Sequence, residues 1–278
     1  MIHFIAKILS ILPLRVTHAI GALVGRAFHQ FKPKVKAILV ENLRATQLYP
    51  DEVVLQQAVK ENIENTGKSV IESFAIWASS QKRALAWVKE VKGLEHLEYA
   101  FQRGKGIIFL TPHMGCFEIT SIYFGALHPI TVLYRPPRKK SMDALMVDGR
   151  SKGFVKLAQT NKSGVKAILQ ALSQGEAVGI LPDQAASKGE GEWAAIFGRP
   201  AYTMVLASKL AEKTDATVIM AFGERLPKGK GFVIHLNRLK SGAIATPAKL
   251  NQALEAQIRQ CPLQYIWNYD RHKDFDTH

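Results

Sequence analysis

Residues 106–120 read Gly-Ile-Ile-Phe-Leu-Thr-Pro-His-Met-Gly-Cys-Phe-Glu-Ile-Thr, and this stretch decides the fold. It begins with a continuous apolar run, Ile107 to Leu110, which is too short for a helix and is ended by Pro112. Such a run predicts a strand buried on both faces, as in a parallel sheet covered by helices. His113 and Glu118 follow it, at the carboxyl end of the strand, where open α/β sheets place their chemistry.

The residues His113 and Glu118 together have the chemistry of a general base. On one continuous helix their side chains would lie about 140° apart and could not meet. With His113 on the turn and Glu118 in the first turn of the next helix, both can point into one crevice. An imidazole held by a carboxylate is the base that serine hydrolases combine with a nucleophilic serine. The sequence has no Gly-x-Ser-x-Gly motif, so we expect the base to act on a hydroxyl of a substrate.

From Gly106 onward the pattern alternates between strands and helices. We predict strands at 107–111, 130–134, 154–157, 177–182, 216–223 and 231–238, and helices at 118–126, 141–152, 163–173, 203–213 and 247–259. Upstream, helices are expected over 37–79 and a strand at 88–91, and residues 184–200 are expected to form a long polar loop. This order predicts one α/β domain over residues 32–278, with a mostly parallel sheet flanked by helices.

Residues 1–31 are predicted to form an amphipathic, membrane-associating N-terminal segment. Apolar residues such as Phe4 alternate with Lys7 and Arg26, and the charge-free runs are shorter than the roughly 20 residues that span a bilayer. This pattern, followed by a basic run at 32–36, is typical of a helix that lies on an anionic membrane surface. The alternative is an ordinary terminal helix that packs on the domain.

The chain is strongly basic, with a formal net charge of +14 from 37 Lys and Arg against 23 Asp and Glu. That excess indicates an anionic partner, which composition alone leaves open between nucleic acid, anionic lipid and an acidic carrier protein. No helix-turn-helix, zinc or base-stacking module is recognisable, so we expect no nucleic-acid partner. Cys116 and Cys261 have no neighbours at metal-ligand spacing, so no metal site is predicted.

Three further stretches carry possible chemistry. The basic run at 134–140, which contains Arg135, is either a solvated charge run or a landing site for a phosphate-bearing substrate or acidic carrier. Arg150 is either a surface residue at a helix end or a bidentate phosphate ligand. Asp183 and Gln184 follow a second apolar strand, so we expect them to share a crevice with His113.

The chain resembles the bacterial late acyltransferases of lipid A biosynthesis, within the wider group of glycerolipid acyltransferases with a His-x4-Asp/Glu motif. The resemblance rests on an ordered set of motifs across nearly the whole chain. They are His113 to Glu118, Tyr134-Arg135-Pro136, Gly149-Arg150, Leu181-Pro182-Asp183-Gln184, Phe197-Gly198-Arg199-Pro200-Ala201, Gln264-Tyr265-x-Trp267, Arg271 and Lys273.

The resemblance implies transfer of a fatty acyl chain from an acyl-carrier-protein thioester to a hydroxyl of an anionic glycolipid, with no other cofactor. It also implies an enzyme on the cytoplasmic face of the bacterial inner membrane. His113 would be the base and Glu118 its orienting partner. The resemblance implies substrate contacts for the remaining candidates, Arg135, Arg150, Asp183, Gln184 and Arg199, with Arg150 either binding an acceptor phosphate or orienting the base.

Two alternatives stay open at this point. The acceptor could be a different lipid or glycolipid, or the chain could be an inactive membrane-binding homologue. A hydrolase that uses water as the acceptor in the same crevice is a third possibility.

Overall fold

The computed structural model describes residues 1–137 and 139–273. It opens with helices α1 (Ile2–Ile11), α2 (Leu14–Phe31), α3 (Pro33–Ala45), α4 (Glu52–Ala78) and α5 (Gln81–Ala86). Prolines and a cap explain their bounds. Pro13 separates α1 from α2, and Pro33 begins α3. At the first position of a helix the backbone N–H has no partner within the helix, so proline, which lacks that N–H, loses no hydrogen bond there. The Asp51 carboxylate caps α4 by accepting a hydrogen bond from the Val54 backbone N–H at 2.8 Å.

The rest of the chain alternates strands and helices. Its elements are β1 (Val88–Lys92), α6 (Leu94–Arg103), β2 (Ile107–Leu110), α7 (Phe117–Gly125), β3 (Ile130–Tyr134), α8 (Lys140–Arg150), β4 (Val155–Gln159), α9 (Lys162–Ser173), β5 (Ala177–Ile180), β6 (Gly191–Ile196), β7 (Arg199–Met204), α10 (Leu206–Thr214), β8 (Thr217–Arg225), β9 (Phe232–Arg238) and α11 (Pro247–Ile258).

Seven strands form one sheet in the order β1-β9-β8-β2-β5-β3-β4. All neighbouring strands are parallel except β8 and β9, which are antiparallel. The strand β2 lies between β8 and β5, and every residue of β2 is buried. The prediction of a mostly parallel sheet flanked by helices is therefore confirmed, and the apolar run after Gly106 is an interior strand.

Successive residues of β2 point to opposite faces of the sheet and enter two separate cores. Ile108 and Leu110 pack with the apolar sides of α9, α10 and α11. Ile107 and Phe109 pack with α7 and with Leu14 of α2. The N-terminal helix α2 and the pair α9 and α10 therefore belong to different faces of the sheet.

The polar stretch 184–200 is not entirely loop as predicted. Its second half enters an antiparallel hairpin of β6 and β7, which forms a small two-stranded sheet of its own. The hairpin was missed because neither strand contains a continuous run of large apolar residues: half of β6 is exposed, and in β7 only Ala201 and Thr203 are buried. The hairpin also shortens the helix predicted at 203–213, which begins at Leu206.

Residues 1–31 form α1 and α2, and both helices pack against α4. In the part of the chain that the structure describes, no helix combines the length and apolarity needed to cross a bilayer. The buried face of α2 is built around Gly21 and Gly25, which lie against Gly67 of α4.

The contact between α2 and α4 leaves no room for a side chain at Gly67. A Cβ atom built at Gly67 would lie 2.1 Å from the carbonyl oxygen of Gly21. A contact this close to backbone can be relieved only by moving one helix away from the other.

Gly67→Ala should lower the free energy of unfolding by about 1–3 kcal/mol, because it forces α2 away from α4. The measurement is thermal unfolding followed by circular dichroism. Ala27→Ser, at an exposed position of α2, is the control and should leave the midpoint unchanged. An unchanged midpoint for Gly67→Ala would show that α2 is not packed on α4 as described.

Candidate active site

His113 lies just beyond the carboxyl end of the central strand β2, on the turn that leads into α7. Its ring lines a cleft of about 680 Å³. The walls of the cleft come from the ends of β3 and β5, from α8, from the starts of α9 and α10, and from the segment 181–190. Among its lining residues are Leu133, Met146, Arg150, Val165, Ile180, Leu181, Gln184 and Leu206. Apolar atoms make up the larger part of the cleft surface, but about half of the lining residues are polar or charged, among them Arg135, Lys162, Glu190 and Lys209.

The carboxylate that holds His113 belongs to Asp183, which follows the neighbouring parallel strand β5. The ring atom Nδ1 of His113 lies 2.9 Å from Oδ1 of Asp183. The backbone N–H of His113 donates to Oδ2 of Asp183, also at 2.9 Å. The two oxygens of Asp183 therefore fix both the ring and the backbone of His113.

The charge state of Asp183 sets the tautomer of His113. Burial by itself raises the pKa of Asp183, but the charge of His113 and the hydrogen bonds from its ring and backbone outweigh burial and hold that pKa below its ordinary value of 3.8. An ionised carboxylate only accepts hydrogen bonds, so Nδ1 must carry the proton. In the neutral ring Nε2 is then the free base, and its neighbour is the side-chain amide nitrogen of Gln184, 3.5 Å away.

Asp183 is itself supported from the C-terminal part of the chain. Burial is the largest cause that raises the pKa of Tyr265 well above its ordinary value, and the adjacent Asp183 carboxylate, to which Tyr265 is hydrogen-bonded, raises it further. Arg271 is also buried and lies near Asp183, while its guanidinium donates to the Tyr202 carbonyl at 3.0 Å and to Thr203 Oγ1 at 3.1 Å. Tyr265 therefore contacts the carboxylate and Arg271 adds a positive charge near it, and neither residue lines the cleft.

Glu118 does not take the role of orienting partner that its spacing from His113 suggested. Its carboxylate is held by Arg150, whose Nε lies 2.9 Å from Oε2 and whose Nη2 lies 2.5 Å from Oε1. The Glu118 side chain is 2% exposed. The reason is directional: as the second residue of α7, Glu118 points toward α8, whereas Asp183 leaves the neighbouring strand directly beside the ring of His113.

Arg150 is likewise not a free cation. Its charge is neutralised by Glu118 in a two-bond pair, and its guanidinium carbon lies 5.7 Å from the centre of the Trp77 ring. The side chain is 13% exposed and still reaches the wall of the cleft. The pair Glu118–Arg150 thus joins α7 to α8 beside the base.

The turn that carries His113 is held by hydrogen bonds to residues 264–266 and by the Cys116 N–H, which donates to the Gly223 carbonyl at 2.7 Å. The His113 carbonyl accepts a hydrogen bond from the Ile266 N–H at 3.0 Å, and the Gly115 N–H donates to the Gln264 carbonyl at 2.8 Å. Gly115 has a φ of 58°, and a Cβ atom there would lie 2.1 Å from the Gly223 carbonyl oxygen. Only glycine fits this position, so the turn has one conformation.

A buried ionic network lies beneath the same turn. Arg225 donates from Nε to Glu72 at 2.8 Å, makes a second bond from Nη2 to the other oxygen of Glu72, and reaches the Gly115 carbonyl at 3.2 Å. Ser69 Oγ donates to the same carbonyl at 3.0 Å. His18 of α2 lies 3.1 Å from Glu72. Burial would raise the pKa of Glu72, but Arg225 and His18 outweigh burial and keep that pKa below its ordinary value.

The two remaining arginine candidates have different positions. Arg135 is exposed, lines the cleft and donates to Ser187 Oγ at 3.1 Å. Arg199 binds α3, with Nη2 2.7 Å from a Glu41 oxygen and Nη1 3.0 Å from Asn42 Oδ1. Arg199 is not among the described residues that line the cleft, so the structure does not bring it to the site. Arg138, in the same basic run as Arg135, lies outside the described residues.

No cysteine thiol lines the cleft, and no metal-ligand cluster is found among the described residues. Cys116 is buried, and burial is the largest cause that raises the pKa of its thiol well above the ordinary value. Within residues 1–137 and 139–273, no group of three or more His, Cys, Asp or Glu side chains is placed to hold a metal ion.

Sequence reasoning missed Tyr265 and Arg225 as functional residues. Tyr265 stood in the C-terminal motif, but nothing in its spacing indicated a contact with Asp183. Arg225 ends β8, and an arginine at the end of an apolar strand could have been recognised as a cation that needs a buried partner. Neither partner is close in sequence, since Glu72 is separated from Arg225 by 153 positions.

A His–Asp pair at the carboxyl end of a central parallel strand, facing a large cleft, lies where open α/β enzymes carry their active sites. Comparison with known proteins narrows that class. The family described as "bacterial lipid A biosynthesis acyltransferase" matches residues 1–274. The chain belongs to that family, as its motifs predicted, and the membership supports an acyltransferase that acts on lipid A.

Individual relatives are distant but cover most of the chain. The lipid A biosynthesis lauroyltransferase of Escherichia coli (strain K12) is 25% identical over 268 residues, which span 94% of this chain and 87% of that protein. The lipid A biosynthesis palmitoleoyltransferase of the same organism is 25% identical over 275 residues, spanning 94% and 86%. A lipid A biosynthesis acyltransferase of Haemophilus influenzae is 24% identical over 275 residues, again spanning 94% and 86%.

Glu118→Gln should lower the free energy of unfolding by about 3–5 kcal/mol, because it leaves the charge of Arg150 largely buried without a counter-charge. The measurement is denaturant unfolding. Glu118→Gln combined with Arg150→Met is the matched variant, and it should recover most of the loss by removing the unpaired charge. A single variant as stable as the unaltered protein would contradict a structural role for the pair.

Proposed function

We propose that this chain is a membrane-associated acyltransferase that moves a fatty acyl chain from an acyl-carrier-protein thioester to a hydroxyl of a lipid A-type glycolipid precursor. His113 acts as the general base. The observation that carries the proposal is the His113 ring itself, with Nδ1 on the Asp183 carboxylate and Nε2 at the cleft. That arrangement directs the lone pair of Nε2 into the cleft, where a bound hydroxyl would replace the 3.5 Å contact with the Gln184 amide.

The reaction needs one proton to move twice. An alcohol has a pKa far above neutral, so Nε2 of His113 takes the hydroxyl proton as the oxygen bonds to the thioester carbonyl carbon. The tetrahedral intermediate then collapses, the carbon–sulfur bond breaks, and the leaving thiolate takes the proton from His113. The products are an ester and a free thiol, and the ring returns to its starting state.

Asp183 and Gln184 have separate roles in the proposed reaction. Asp183 keeps the ring in the productive tautomer and stabilises the imidazolium that forms during attack. Gln184 is exposed, and its amide N–H groups lie beside Nε2, where charge develops on the former carbonyl oxygen. A side-chain amide in that place is a donor for the oxyanion. This chemistry needs no metal ion and no cofactor besides the acyl donor.

The size of the cleft supports a large substrate. A volume of about 680 Å³ lies in the range of cavities that bury most of a drug-sized ligand, and its walls are largely apolar. An acyl thioester and part of a glycolipid need such a surface. Arg135 is the exposed guanidinium of the cleft, and we assign it to the phosphate of the anionic acceptor.

The N-terminal helices support membrane association. Several large apolar side chains of α1 and α2 are exposed, including Phe4 at 69%, Ile11 at 65%, Leu23 at 59% and Phe31 at 77%. Exposed apolar side chains beside the basic run 32–36 are typical of a surface that inserts into an anionic leaflet. We therefore place the enzyme on the cytoplasmic face of the bacterial inner membrane. Its net charge of +14 attracts both the anionic lipid and the acidic donor protein.

His113→Ala should lower the rate of acyl transfer by at least about 10²–10⁴-fold, because the general base is lost. Asp183→Asn should lower kcat with little change in KM, since the amide no longer fixes the tautomer of the ring. The measurement is transfer from acyl carrier protein to a lipid A precursor, with Glu90→Gln as an exposed control.

Mass spectrometry of total lipids from cells that carry each variant identifies the acceptor. A glycolipid lighter by one acyl chain in the His113→Ala strain supports the proposal. Full activity of His113→Ala overturns the base assignment, a mass change in a different lipid replaces the acceptor, and acyl release without acceptor indicates a hydrolase.

Phe4→Ser, Leu23→Ser and Phe31→Ser combined should weaken partition to anionic vesicles by about tenfold or more, because each buried aromatic or leucine side chain contributes roughly 1.5–3 kcal/mol. Sedimentation with vesicles of mixed neutral and anionic phospholipid measures the partition. Trp193→Ser, at a half-exposed position on the hairpin, is the control. Undiminished binding of the triple variant would place the membrane contact elsewhere.

A further inference from the structure

The helices α9 and α10 present a set of four exposed lysines beside the cleft. Lys162 and Lys166 lie one turn apart on α9, and Lys209 and Lys213 lie one turn apart on α10. We call these four residues the lysine face. The two helices pack against each other, so the pairs form one continuous surface.

The lysine face reaches the cleft at one end. Lys162 and Lys209 line the cleft, whereas Lys166 and Lys213 lie one turn farther out. Within the described part of the chain, none of the four takes part in an ion pair. The charge of this surface is therefore available to a partner.

Acidic side chains near the lysine face are too few to cancel it. Glu190 lines the cleft, Glu212 is exposed on α10 and Asp215 just after α10 is paired with Arg103, while α9 has no acidic residue. The surface thus keeps a net positive charge and attracts an anionic partner over a Debye length of about 10 Å at 0.1 M salt.

The lysine face is not built like a membrane contact. Among the described residues, no large apolar side chain of α9 or α10 is exposed, in contrast to α1 and α2. The two helix pairs also belong to different faces of the sheet, since α9 and α10 cover one core and Leu14 of α2 lies in the other. A surface with charge but no exposed apolar side chains suits a water-soluble acidic partner rather than a bilayer.

We propose that the lysine face is the docking surface for the acidic carrier protein that delivers the acyl thioester. This inference rests on the proposed function, in which a carrier-bound thioester is the donor. A carrier seated on Lys166 and Lys213 is next to the end of the cleft lined by Lys162 and Lys209, so its thioester arm enters there. The acceptor glycolipid then enters from the side of α8, which packs against the membrane-facing helix α1.

The test uses Lys166→Glu combined with Lys213→Glu, because both residues lie outside the cleft. The donors are acyl carrier protein and an acyl-pantetheine thioester with the same acyl chain. We expect the variant to raise KM for the carrier-bound donor by about tenfold or more, as loss of electrostatic steering does, and to leave transfer from the small thioester unchanged. Added salt should raise KM of the unaltered protein toward that of the variant.

Lys89→Glu combined with Lys92→Glu is the matched control, since it changes the net charge equally on β1, at the opposite edge of the sheet. An equal KM increase in this control assigns the effect to net charge and overturns the docking surface. Unchanged carrier kinetics in the Lys166 and Lys213 variant also overturn it, and weaker vesicle binding in that variant reassigns the face to the membrane. Failure of the unaltered protein to transfer from either donor overturns the proposed function itself.

Discussion

The pair of Arg225 and Glu72 is the interaction on which the rest of the structure depends. Both side chains are almost fully buried, and an ion pair in such a place persists only when every remaining donor and acceptor is satisfied. Glu72 completes its bonds with His18, and Arg225 completes its own with Ser69 and the carbonyl of Gly115. One pair therefore fixes α2, α4, the end of β8 and the turn of His113 in a single arrangement.

The catalytic geometry follows from the order of the parallel strands. Because β2 and β5 are neighbours with the same direction, the residues that follow them emerge side by side, and His113 meets Asp183 across 70 positions of sequence. Glu118 stabilises the packing of α7 on α8, because its charge is paired with Arg150 between these two helices. The Asp183 carboxylate therefore holds the His113 ring, whereas the Glu118 carboxylate links α7 to α8 through Arg150.

The sequence predicted those features that depend on residues close together along the chain. The short apolar run before Pro112 identified β2 and the place of His113, and two strand ends with polar residues predicted the shared crevice with Asp183. The structure pairs Glu118 with Arg150 rather than with the His113 ring, because residue spacing gives the position of a backbone but not the direction of a side chain. The role of Tyr265 could not be predicted, because it depends on a contact with a residue distant in sequence. The hairpin after Ala186 could not be predicted because its strands have little apolar patterning.

The hydrogen bonds between the turn of His113 and residues 264–266 have a consequence for how the protein is made. The ribosome synthesises the turn of His113 well before this segment, so the turn lacks these hydrogen bonds until residues 264–266 have been made. A product that ends before Gln264 would therefore contain His113 but lack the hydrogen bonds that fix its turn.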